Sequence, residues 1–162
     1  MTSKKQSHQE NANAIHTELL QLLEGMDYCL DWKLQESDWS AREVVYHLLD
    51  TPPGGAHAVV RGTVSGEITE YEIWSDLTNM TPERAGHDME QITADIGDFF
   101  GKMAEAVGAA AEGDLDGKSV VVHQRTRGTD EERTLEAVLV GFDRHCRDHL
   151  SQIKELRDAL GF

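Results

Sequence analysis

Cysteine is scarce in this chain. Among 162 residues only Cys29 and Cys146 carry thiols, far apart and without a paired spacing. They offer no disulfide framework and no cysteine-based zinc motif, so the expectation is reduced thiols in a cytoplasmic protein. Basic residues are also few, 15 against 30 acidic, for a formal charge of -15. That field repels a phosphate backbone and an anionic membrane surface, which argues against nucleic acid and membranes as partners. No apolar run reaches the roughly 18 residues a membrane span needs. The opening MTSKKQSHQENANAI has lysines but no apolar segment behind them, so it does not read as a secretory signal. Internal repeats and low-complexity segments are absent too.

What is present is helical periodicity. The length suits one domain with its own core; residues 1–7 read as a disordered tail and 8–162 as that single domain. Ile15, Leu19, Leu22, Leu23, Met26, Cys29 and Leu30 form a stripe at three- and four-residue spacing, predicting a first helix that ends near Trp32. Ser40, with Glu43 three residues on, forms a capping box that opens a second helix with Val44, His47 and Leu48 on one face. DTPPGG interrupts it, because Pro52 and Pro53 cannot continue a helix, and apolar helical spacing resumes from Ala56 to Val64. After a polar connection containing Trp74, Thr81 and Pro82 predict the start of a third helix carrying Met89, Ile92, Ile96, Phe99, Met103 and Val107. KSVVVHQRTRGTDEERTL predicts a strand, a turn at Arg127–Gly128 and a returning strand. Thr134 then caps a last helix with Leu135, Val138, Leu139, Phe142, His145, His149, Ile153, Leu156 and Leu160 inward. The expected fold is all-α, a four-helix bundle with a long crossover connection and a short β-hairpin before the last helix.

His145 and His149 stand where core leucines belong. At i and i+4 their side chains lie one above the other, about 5–6 Å apart at Cβ, and can converge on one cation at about 2.0–2.1 Å from each nitrogen. A third imidazole from a facing helix would complete the set, and His47 is the best placed. Spacing alone does not separate this reading from two hydrogen-bonded core histidines. His57 and His123 are weaker candidates, His8, His16 and His87 read as surface residues, and Cys146 reads as a small buried hydrophobe rather than a nucleophile.

The segment WSAREVVYHLL, Trp39 to Leu49, resembles the Trp-x-x-x-Glu-x-x-x-His-Leu signature of the DinB-like (YfiT-like) four-helix-bundle metalloenzyme family. RHCRDHLSQI, Arg144 to Ile153, resembles that family's His-x-x-x-His-x-x-Gln-Ile signature, and the two occur in the family's order. The resemblance covers nearly the whole chain. It implies a bundle of DinB/YfiT type and a divalent metal ion, zinc or nickel, on His47, His145 and His149. Three neutral ligands leave the cation its full charge and an open position, as catalytic sites do. Glu43 and Asp148 are candidates to accept the outer N–H of a ligand ring, although the capping box accounts for Glu43 equally well.

The activity implied is metal-dependent chemistry on a small molecule, thiol S-transfer or hydrolysis. Some members of the family are transferases that use a low-molecular-weight thiol, and relatives are homodimers. The alternative is a non-catalytic, dimeric metal-binding or stress-related bundle. No acid/base pair accompanies the three histidines, and DTPPGG breaks a helix that usually continues past the ligand in the family.

Overall fold

The structure, a computed structural model, describes residues 2–162. Its first helix, α1 (Lys4–Leu23), starts inside the segment expected to be disordered. Ser3 caps it, accepting from the Gln6 amide, and Lys5 donates to the Gly108 carbonyl at 2.8 Å, so long-range contacts hold those residues. It also stops well short of Trp32. Met26, Cys29 and Leu30 continue the buried stripe, but in an irregular segment after Gly25 turns the chain.

The capping box predicted at Ser40 and Glu43 is present at the start of α2 (Ala41–Leu49). This helix is buried almost all round, from Val44 through Leu48, as suits an element enclosed by its neighbours. The interruption after it is real. Gly54 and Gly55 adopt φ of 86° and 94°, and a Cβ at Gly55 would stand 2.6 Å from His57 Nε2. Glycine is therefore required there before α3 (Ala56–Ser65) can begin.

The connection after α3 contains an unexpected strand, β1 (Glu70–Ile73). Thr81 and Pro82 do start a helix, but α4 (Pro82–Ala85) lasts one turn. The long helix is α5 (Met89–Ala109), opened by a second capping box between Asp88 and Gln91. Short α6 (Asp114–Gly117) leads to the hairpin, β2 (Ser119–Gln124) and β3 (Thr129–Thr134), with Gly128 at φ 70° in the turn. Thr134 caps α7 (Leu135–Leu160), as its position predicts.

β1 pairs in parallel with β2, and β2 antiparallel with β3, placing Tyr71 opposite Val122 and Val120 opposite Arg133. The expected all-α class is thereby corrected: this is a helical bundle with a small three-stranded sheet, and the missing strand signal is explained by β1's polar, half-exposed EYEI. The second helix is divided into α2 and α3 at the expected break, whereas the single third helix expected is replaced by α4 and α5. In the core, α1 packs on α5 and α7, α3 on the same two, and α2 on α7. No helix among the described residues is long and apolar enough to cross a membrane.

Candidate metal centre

The α2–α7 contact brings three imidazoles together. His47 is fully buried, and its Nε2 lies 3.0 Å from His145 Nε2; His149 Nε2 lies 3.1 Å from the same atom. His145 and His149 share a face of α7 because they are four residues apart. His47 meets them from the opposite helix, 98 residues away in sequence.

The outer nitrogens fix what these contacts can be. His47 Nδ1 donates to the Leu77 carbonyl at 2.6 Å, and His149 Nδ1 donates to the Gln152 carbonyl oxygen at 2.8 Å. Each ring therefore turns an Nε2 lone pair inward. A proton on His145 Nε2 serves one of those lone pairs well and leaves the other contact as two acceptors face to face. Burial lowers the pKa of all three rings, and the neighbouring imidazoles add to the effect at His145, which is brought down to about 3. Two of the three donor pairs stand at 3.0 and 3.1 Å, close to the spacing of roughly 3.3 Å around a four-coordinate ion with 2.0–2.1 Å bonds, and all three nitrogens lie within 4.8 Å of one another. The donor set thus fits a divalent cation and is electrostatically unsatisfied without one.

These depressed pKa values set a direction for the metal-free protein. The unfolded chain takes up protons at the ordinary histidine value of 6.5, whereas the folded rings resist until lower pH. Their contribution to stability is complete above pH 6.5 and is lost as pH falls below it. Thermal unfolding of the metal-free protein is expected at a progressively lower midpoint from pH 6.5 to 4.5. A midpoint flat or rising across that interval would contradict the burial of these rings.

The surroundings are only partly those anticipated. Trp39 covers the cluster, its ring 4.7 Å from that of His47 and near-parallel to that of His149 at 6.1 Å. Thr51, from the DTPPGG break, places its hydroxyl 3.2 Å from His47 Nδ1 and accepts from the Asn79 side chain. Neither Glu43 nor Asp148 accepts from a ring. Glu43 is committed to the Ser40 amide and Lys33, while Asp148 is exposed on α7. Their expected role falls instead to the Leu77 carbonyl and Gln152. The Gln of the second signature was a usable signal for one of these; a backbone carbonyl carries none.

The other candidates lie elsewhere. His57 packs edge-on against Phe99, and His123 sits between Asp130 and Glu70 on the sheet. His16 stacks on Phe100, and His87 bonds the Tyr46 hydroxyl at 2.8 Å, so both are more enclosed than surface residues. Cys146 faces the core, its thiol pushed up in pKa by burial, and Cys29 is shifted the same way. Alkylation with iodoacetamide at pH 8 is accordingly expected to spare both cysteines in the native protein and modify both in denaturant. Fast native modification of Cys146 would reopen a nucleophilic role.

A cleft of about 60 Å³ reaches the cluster at His145, walled by Thr51, Pro52, Tyr71, Arg133 and Phe142. A roomier cleft of about 500 Å³ around Asp50, Arg84 and His87 touches none of the three imidazoles.

No protein-family description matches the chain, and no curated protein matches it significantly. Among solved structures it is similar to YfiT from Bacillus subtilis, described as "a probable metal-dependent hydrolase with an unusual four-helix bundle topology". The match has a TM-score of 0.75 and covers 98% of this chain and 88% of that one, at 20% sequence identity. The chain has the YfiT fold. The resemblance drawn from the two signatures is thus supported where structure can support it, in the architecture that carries His47 on one helix and His145 and His149 on another.

Proposed function

We propose that this protein is a metal-dependent hydrolase acting on a small molecule, with a divalent ion held by His47, His145 and His149. The observation that carries the reading is the fixed tautomer of His47 and His149, which aims two lone pairs at a third buried nitrogen. The description of YfiT as a metal-dependent hydrolase supports the reaction class. When bound, the ion would supply Lewis acidity, polarising a carbonyl or lowering the pKa of a water.

The chain's own part is placement. The Leu77 carbonyl and Gln152 hold the rings in register, and such outer partners typically contribute about 10–100-fold to metal affinity. Trp39 and the apolar wall of Pro52, Val59, Val138 and Phe142 limit water around the cluster. No carboxylate lines the cleft at His145, so the ion rather than a side-chain base is the source of acid/base chemistry. Zinc and nickel both suit imidazole donors.

Metal analysis of the reconstituted protein, with an activated ester as reporter, tests this. One divalent ion per chain and hydrolysis abolished by a chelator are expected. Binding well below one ion per chain would overturn the assignment of the site, and full occupancy with chelator-insensitive hydrolysis would overturn the reaction.

A further inference from the structure

The cleft at His145 differs in charge from the rest of the molecule. The chain carries 30 acidic residues, yet none lines this cleft, whose one charged wall residue is Arg133. Arg133 lies on β3 opposite Val120, which is buried, and so its side chain points to the covered face of the sheet. The side chain is 21% exposed, and Glu131 balances its charge. Its Nε donates to Glu131, but its two terminal nitrogens make no hydrogen bond to a carboxylate or carbonyl among the described residues. The guanidinium hydrogen-bonds the Tyr71 phenol oxygen and lies over Gly141, where a Cβ would stand 3.5 Å from Nη1. Gly141 is one turn of α7 before His145, so the guanidinium and the imidazole cluster flank the same narrow space.

We propose that this cleft binds the carboxylate of a small anionic molecule, with Arg133 and the Tyr71 hydroxyl as its anchors and Phe142 against its apolar portion. A guanidinium presents two parallel donors that match a carboxylate. Tyr71 keeps its proton, since burial raises its pKa, and can donate to the same group. A space of about 60 Å³ suits a short, flat head group rather than a bulky one. The competing reading of Arg133 is an inward charge that keeps an edge strand from pairing, a role that needs no ligand. Placing the bound molecule as substrate rests on the metal-dependent reading given above, whereas the anion contact belongs to β1 and β3 alone.

The test is titration of the metal-free and the zinc-loaded protein with butyrate, butyramide and inorganic phosphate, followed by amide chemical shifts. Butyrate is expected to bind both forms saturably and to shift signals from β1, β3 and the start of α7. Arg133→Met should weaken it at least about tenfold, the usual range for losing charge-assisted hydrogen bonds, with the zinc content unchanged. Tyr71→Phe, a milder change, should weaken it less while leaving the fold intact. No saturable butyrate binding, equal binding of butyramide, preference for phosphate, or indifference to both substitutions would each overturn the proposal. If zinc fails to bind while Arg133-dependent butyrate binding persists, the metal reading falls and this one stands. The reverse pattern removes only this one.

Discussion

Replacing His145 with alanine is expected to release the divalent ion while leaving the metal-free protein folded. His145 is the hub of the cluster, because its Nε2 makes both short contacts, at 3.0 Å to His47 and 3.1 Å to His149. Its removal leaves two nitrogens from opposite helices and no third donor. The loss of affinity should exceed the roughly 10–100-fold that follows from losing an outer partner of a ligand. The metal-free fold should respond differently. There the same atom stands among inward-facing lone pairs, and the half-buried ring contributes modest packing, so a change within about 1 kcal/mol is expected. Metal content by mass spectrometry and unfolding in chelator separate the two effects. Retention of a full complement of metal in His145→Ala would contradict the ligand set, and a large stability loss would mean that the ring's main role is structural.

Ile153→Ala should show the converse, a loss of stability of about 2–5 kcal/mol, the usual cost of emptying a fully buried aliphatic site. Ile153 has no exposed surface and lies one turn beyond His149 on the inward face of α7. Against a typical total of about 5–15 kcal/mol this is a large fraction. At roughly 2–4 °C per kcal/mol for a domain of this size, the thermal midpoint should fall by about 4–20 °C. Metal binding at low temperature should survive, since no ligand or ligand partner is touched. Calorimetry on metal-free protein checks the size of the drop, and a shift below about 1 °C would contradict the packing of α7 against the core.

The two signatures show what local sequence can carry. A spacing of four on a helix fixes that His145 and His149 share a face, and the same logic makes Ser40 and Glu43 a legible helix start. These relations lie within a single turn, where geometry depends little on the rest of the fold. The hairpin turn at Arg127–Gly128 and the cap at Thr134 were legible for the same reason. Relations set by tertiary contacts were not. Thr81 and Asp88 both present capping side chains, and only the packed structure shows that the first opens a single turn and the second the long helix. EYEI lacks the apolar alternation of an internal strand and becomes one because β2 offers it a parallel edge. The Lys4 end of α1 is ordered by carbonyl and carboxylate groups from α5 and α7. At the site itself, helix-face placement made His47 the best third imidazole, and the family resemblance rather than spacing gave that choice its weight. The oxygen that sets its tautomer belongs to the backbone of Leu77, a residue 46% exposed whose side chain tells nothing of the role.

That carbonyl has a dynamic consequence. The irregular stretch around Leu77 is tethered by a few polar links: Asn79 to Thr51, and Arg84 to the Asn79 carbonyl. If this stretch lifts away, His47 loses the acceptor that keeps its proton on the outer nitrogen. Excursions of the loop and loss of the cation then become linked equilibria, so a bound ion should slow amide exchange in residues 75–80, although none of them belongs to the imidazole cluster.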